Sequence, residues 1–239
     1  MANFITRHIP NTLTSLNLFC GCVAIISAFE GDMMNASLFI VLGAIFDFFD
    51  GMSARLLKAY SNIGKELDSL ADLVTFGVAP SVMVYKTMKL IECTCLPDFF
   101  FQFLPYTAFL LAVFSGLRLA KFNVDERQST SFIGLPTPAN ALFWIGVCVD
   151  IDDVSIAFLS NVWVIFALVI IFSYLLVAEI PMFSFKFKSL SWQENKIRYM
   201  FAIAAVALLI LLGITGISAV IGLYIITSVV SDIYLKKKS

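Results

Sequence analysis

Eight stretches of this chain are apolar over most of the length needed to cross a bilayer, and that repetition constrains the fold more than any other feature. A crossing helix needs about 20 mostly apolar residues. The candidates fall at about 12–29, 33–58, 66–89, 102–122, 137–151, 159–180, 197–213 and 215–235. Hydrocarbon offers backbone N–H and C=O groups no partner, so such segments must satisfy them internally, as helices. The expected fold is all-α, a polytopic transmembrane helical bundle of about eight spans. Composition agrees: 60% of residues are hydrophobic and 14% charged, against about half and one quarter in a soluble domain. A net charge of −1 gives no broad basic surface, and no basic-aromatic cluster supplies a local one, so nucleic acid is not an expected partner.

The last two spans are nearly continuous, and Gly213 and Gly216 are the residues expected to break them, because glycine can take the positive φ of a tight reversal. An even number of spans puts both termini on one side. Arg7, Arg55, Lys58, Lys65, Arg118, Lys121, Arg127, Lys186, Lys188, Lys196, Arg198 and Lys236 to Lys238 then share one face. Only Lys86 and Lys89 fall on the other, with Glu30, Asp32, Glu92, Asp98, Asp150, Asp152 and Asp153. Basic residues collect in cytoplasmic loops, so both ends are expected in the cytoplasm. The run Phe183 to Lys188 alternates aromatic with polar residues and suits a chain lying at the cytoplasmic interface.

The N-terminus lacks the basic region, short apolar core and cleavage site of a signal peptide, so no processing is expected. Cys20 and Cys22 sit in an apolar stretch and read as packing residues; Cys93 and Cys95 lack the spacing and second ligand pair of a zinc site. His8 is the only histidine, which removes histidine-based triads and reads as an interfacial residue.

Carboxylates inside spans cost about 2.5–3.5 kcal/mol each at mid-membrane and by default mark function. Four occur within a short stretch. Asp47, Asp50, Gly51 and Ala54 are three or four residues apart and share one helical stripe, with Arg55 beside it; Gly64, Asp68 and Asp72 repeat every four residues on the next helix. Only a short connection around Tyr60, Ser61 and Asn62 separates the two, so the stripes can face each other near the cytoplasmic ends of their helices. Four acids in one low-dielectric cleft repel unless a cation offsets them. All-oxygen ligation suits Mg²⁺ or Mn²⁺, and four acids have room for two ions, the arrangement that clamps attacking and leaving oxygens in phosphoryl chemistry. Gly51 and Gly64 leave space for a ligand to approach the backbone, and Arg55 is a fork donor suited to phosphate. The rival reading is a proton or cation path, as in a transporter; no comparable polar stripe continues on the outer halves of the helices.

The pattern Asp47-x2-Asp50-Gly51-x2-Ala54-Arg55-x8-Gly64-x3-Asp68-x3-Asp72 resembles the complete signature of the CDP-alcohol phosphatidyltransferases. The resemblance implies transfer of a phosphatidyl group from a CDP-linked lipid to an alcohol, with release of CMP. It implies metal binding by Asp47, Asp50 and Asp68, and for Asp72 both approach to the metals and the role of general base. Gly51, Ala54, Arg55 and Gly64 would line the pocket for the CDP moiety.

Further matches bear on the acceptor. Ile9-Pro10-Asn11-x-Leu13-Thr14-x2-Asn17-Leu18-Phe19-Cys20-Gly21, Leu117 to Asn123, Phe132 to Ala139 and Ile180-Pro181-x-Phe183-Ser184-Phe185-Lys186 resemble the bacterial and archaeal phosphatidylserine synthase branch. That resemblance implies CDP-diacylglycerol and L-serine as substrates, a six-helix core over 1–180, and an interfacial segment with two added helices over 181–239. A homodimer through a Phe-rich helix surface is a further expectation. Glycerol phosphate or an inositol phosphate is the alternative acceptor. Arg118, Lys121 and Asn123 lie on the cytoplasmic face, where Arg118 suits a bidentate contact to a serine carboxylate; the competing explanation is simply the excess of cytoplasmic basic residues.

Overall fold

A computed structural model describes residues 4–91, 102–124, 133–149, 161–182 and 192–238. Arg127, the run 183–188 and the Cys93/Cys95 pair lie outside the described residues. Among the described residues nine α-helices follow one another: α1 (Phe4–Glu30), α2 (Met33–Leu56), α3 (Asn62–Asp72), α4 (Ala79–Leu90), α5 (Leu110–Val124), α6 (Thr137–Cys148), α7 (Val162–Val177), α8 (Trp192–Leu212) and α9 (Gly216–Lys238). No strand occurs among the described residues. Helices α3 and α4 are one continuous span, joined by a widened π-helical turn over Leu73–Val78, and α5 is led in by a 3₁₀ turn, Leu104–Phe109.

The eight expected spans each correspond to a helix in this series, and the chain is an all-α polytopic membrane protein. Among the described residues, five segments are long and apolar enough to cross, namely His8–Glu30, Met33–Leu56, Asn62–Leu90, Leu104–Val124 and Arg198–Val230. The last is two arms of a hairpin. Gly213 takes φ 58°, Gly216 packs against the backbone of Leu208, and Phe201 lies 6.4 Å from Tyr224 across the fold. Helices α6 and α7 have 12 and 16 residues; of the expected 137–151 and 159–180, residues 150–151 and 159–160 lie outside the described residues.

Two reversals set the register of the first three spans. After α1, Gly31 at φ 91° lets its N–H reach the Ala28 carbonyl and that of Asp32 reach Ser27, the αL arrangement that ends a helix. Asp32 then caps α2 by accepting from the Asn35 N–H at 2.9 Å. The turn after α2 repeats this with Lys58 at φ 51°, the N–H groups of Lys58 and Ala59 bonding to Arg55 and Ala54. Ser61 caps α3 through the Gly64 N–H at 3.0 Å.

Helix α4 fills the middle of the bundle. Its Val82, Met83, Val84 and Met88 are at most 2% exposed and pack among α1, α5, α6 and α7. On the far side Phe143 stacks on Phe172 at 3.9 Å, and Trp144 is wholly buried with its Nε1–H donating to Asn140. The outer surface carries exposed Phe19, Phe48, Leu117, Ile171, Ile203 and Ile210, which suits contact with lipid. Cys20 is buried as packing, Cys22 is exposed, and both are free thiols. His8 is exposed near the start of α1.

Candidate metal and substrate site

The Lys58 reversal returns α3 beside α2 with the two aspartate stripes facing. Carboxylate oxygens of Asp47, Asp50 and Asp68 lie within 4.8 Å of one another. Asp72 joins them one turn further along, with the Asp47 carboxyl beside those of both Asp68 and Asp72. Asp50 is buried, 5% exposed, and the other three are half-buried. Two oxygens on one Mg²⁺ or Mn²⁺, each bound at about 2.1 Å, stand at most about 4.2 Å apart. The observed cluster needs only side-chain adjustment to reach that spacing, and its donors are all oxygen. The residues present therefore fit a hard divalent cation, which would offset the repulsion among the acids.

Helix α1 forms a third wall. Thr14 donates its hydroxyl to Asp50 Oδ2 at 2.6 Å, and Asn17 donates from Nδ2 to Asp72 Oδ1 at 3.3 Å. Asn17 is fully buried, and its backbone carbonyl accepts from the Thr75 hydroxyl at 3.0 Å. Two glycines allow this approach. A Cβ at Gly21 would stand 2.5 Å from Thr75 Oγ1, and one at Gly43 would stand 2.6 Å from Thr75 Cγ2. The three spans thus meet at Thr75, inside the widened turn that begins right after Asp72. Neither Thr14 nor Asn17 had a role from the sequence; the available signal was that Thr14, Asn17 and Gly21 share one stripe of an otherwise apolar helix.

A cavity of about 880 Å³ opens beside the acids, walled among others by Asp47, Asp68, Asp72, Arg118, Asn123 and Tyr224. Arg118 is 8% exposed. One of its terminal nitrogens donates to Thr137 Oγ1 at 3.4 Å, while its Nε has no hydrogen-bond partner. Asn123 donates from Nδ2 to Ser69 Oγ at 2.9 Å, and its carbonyl accepts from Lys65 at 3.1 Å, which ties the end of α5 to α3. Lys121 is not on the cavity wall: it pairs with Glu179 at 3.3 Å in an exposed salt bridge.

The four residues expected around a CDP group are also off this wall. Gly51 has no close neighbour beyond Arg55, whose Nη1 would be 3.7 Å from an added Cβ, so that surface is open to a ligand. Ala54 is half-buried and Arg55 exposed. Gly64 has a structural reason of its own, since a Cβ there would stand 2.9 Å from both Asn11 Oδ1 and Ser61 Oγ.

Two separate sequence matches are one structural unit. Ile133 and Pro181 form an isolated antiparallel bridge, Gly134 donates to the Ile180 carbonyl at 2.9 Å, and Leu135 donates to Leu175 at 2.9 Å. Gly134 holds φ 78°, with an added Cβ only 2.7 Å from the Leu176 carbonyl. This latch fixes Pro136 and Thr137 at the mouth of α6, where Thr137 meets Arg118.

Apolar spans around facing carboxylates and a cavity holding a buried arginine define a multi-pass membrane protein with an acidic centre whose donors could hold a metal ion. The chain belongs to the CDP-alcohol phosphatidyltransferase family, whose model matches residues 7–230. Among similar curated proteins, a CDP-diacylglycerol--serine O-phosphatidyltransferase of Bacillus subtilis is 40% identical over 149 residues, 61% of this chain and 75% of the relative. One of the same name from Helicobacter pylori is 30% identical over 96% of this chain and 92% of its own. A third, from Mycobacterium bovis, is 33% identical over 95% and 75%.

Proposed function

We propose that this chain transfers the phosphatidyl group of CDP-diacylglycerol to the hydroxyl of L-serine, yielding phosphatidylserine and CMP, at the cytoplasmic face of the cell membrane. The observation that carries this reading is the convergence of the Asp47, Asp50 and Asp68 oxygens within 4.8 Å, beside a cavity whose wall includes Asp72 and Arg118. The names of the similar proteins support the same donor and acceptor. The skew of basic residues toward one face supports the orientation.

Asp47, Asp50, Asp68 and Asp72 would hold two Mg²⁺ or Mn²⁺ ions. When bound, such ions supply charge neutralisation along the diphosphate. Thr14 orients Asp50 and Asn17 orients Asp72, so both acids present fixed oxygens before substrate arrives. Gly51, Ala54, Arg55 and Gly64 accept the CDP moiety, with the acyl chains left in lipid. Asp72 takes the proton from the serine hydroxyl as its oxygen bonds to the lipid-bearing phosphorus, and the bond from that phosphorus to the CMP oxygen breaks. Arg118 receives the serine carboxylate, Asn123 lines the same chamber, and Lys121 braces α5 through Glu179. Residues 1–180 carry the chemistry, and 181–239 add the hairpin. A relay across the membrane finds no support in α4, whose Val82, Met83, Val84 and Met88 plug the centre with apolar side chains.

The test is release of labelled CMP from CDP-diacylglycerol by the purified chain with Mg²⁺, on adding serine or competing alcohols. Serine-dependent release with phosphatidylserine as product is expected. Release with glycerol phosphate or an inositol phosphate but not with serine would reassign the acceptor.

A further inference from the structure

The C-terminal hairpin is the least buried of the five crossing segments among the described residues: only 6% of its most apolar window is covered. It nevertheless contributes Phe201, Val220, Ile221 and Tyr224 to the wall of the chamber that holds Asp72 and Arg118. Its docking is specific. Helix α9 meets α6 where Gly146 has no side chain: a Cβ there would stand 2.3 Å from Ser218 Oγ. The Ser218 hydroxyl donates to the Phe143 carbonyl at 2.7 Å. Six residues on, between one and two turns, Tyr224 is 8% exposed, its phenol oxygen is met by the Ser228 side chain, and it lines the same chamber as Arg118. Arg118 Nε is buried without a hydrogen-bond partner, and such a donor is costly to leave unmatched. A cationic fork with an unused N–H and a phenol O–H on one chamber wall form a donor set for a carboxylate.

We infer that Tyr224, carried by the added hairpin and lining one chamber with Arg118, is a specificity-determining residue that binds the carboxylate of the acceptor. This rests on the serine reading above and deepens it, because it gives the hairpin a task the aspartate helices do not perform. The aspartates act on any hydroxyl brought to the donor phosphorus. The Arg118–Tyr224 pair selects which alcohol is brought, favouring a small one with a carboxylate over an amino alcohol that lacks one.

The experiment compares the full-length wild type with Tyr224→Phe, which keeps the ring and removes the hydroxyl, measuring CMP release against serine, against CDP-diacylglycerol, and against serinol, which lacks the carboxylate. Tyr224→Phe should raise KM for serine about ten-fold, the worth of one hydrogen bond to a charged group. Its kcat and its KM for CDP-diacylglycerol should stay within about two-fold, its weak use of serinol should be unchanged, and its melting temperature should match the wild type. An unchanged KM for serine, or a loss of kcat with all substrates alongside a lower melting temperature, overturns the inference. Wild-type protein that releases no CMP with serine would overturn the acceptor reading and this inference with it. Wild-type release with an indifferent Tyr224→Phe overturns the inference alone.

Discussion

The span Asn62–Leu90 and the hairpin Arg198–Val230 are both long and apolar, yet they stand in opposite relations to lipid. The first has mean hydropathy 1.4 and 56% of its most apolar window buried; the second has 2.7 and 6%. High hydropathy here records contact with hydrocarbon, where every exposed side chain must be apolar. The less apolar span lies inside the protein, where Asp72 finds Asn17 and Asp68 finds Asp47 and Asp50 of the neighbouring span. Of these two regions, the one that carries Asp68 and Asp72 is the one with the weaker transmembrane signal.

Removing divalent ions should have the largest effect and tests the inner span directly. A chelator should reduce transfer to background, and Mg²⁺ or Mn²⁺ should restore it; unchanged transfer in chelator would leave the acidic cluster without its assigned task. Next, Asp72→Asn should lower kcat by about 10²–10⁴-fold, the usual contribution of a positioned base, while thermal unfolding in detergent stays unchanged. A third effect concerns the junction at Thr75. Gly21→Ala puts a methyl group 2.5 Å from Thr75 Oγ1 and 2.9 Å from Thr75 Cα, and should cost about 1–3 kcal/mol of stability, as overpacking does. The smallest effect belongs to the hairpin's outer face. Ile210 is 78% exposed, so Ile210→Ala should change stability by less than about 0.5 kcal/mol and leave turnover unaltered. A large loss at Ile210 would break the contrast between the two regions and point to a protein contact there.

The aspartate stripes were legible in the sequence because helical periodicity converts spacings of three and four directly into a shared face. The reversal that turns them toward each other was legible only as a short polar connection; its αL residue is Lys58, where glycine would be the usual choice. The contributions of Thr14 and Asn17 were not readable as roles, since they depend on how close α1 comes, and that distance is set by Gly21 and Gly43 against one threonine of another span. The Ile133–Pro181 latch joins residues far apart in the chain, and no local pattern announces such a pairing. Lys121 and Arg118 looked equivalent as cytoplasmic cations; packing separates them, one in an exposed ion pair and the other buried at the chamber.

The widened turn at Leu73–Val78 has a consequence for how one rod serves two jobs. In an uninterrupted α-helix, Ala79 and Met83 would continue the line that runs through Asp68 and Asp72. An extra residue in the turn advances the phase by about 100°, so the line passes instead to Pro80 and Val84. The acidic half and the oily half of the same rod can then be aimed independently, each at its own neighbours. The number of residues between Asp72 and Pro80 therefore behaves as a fixed gear ratio: deleting one would leave every side chain in place along the sequence and swing one half of the rod out of step with the other.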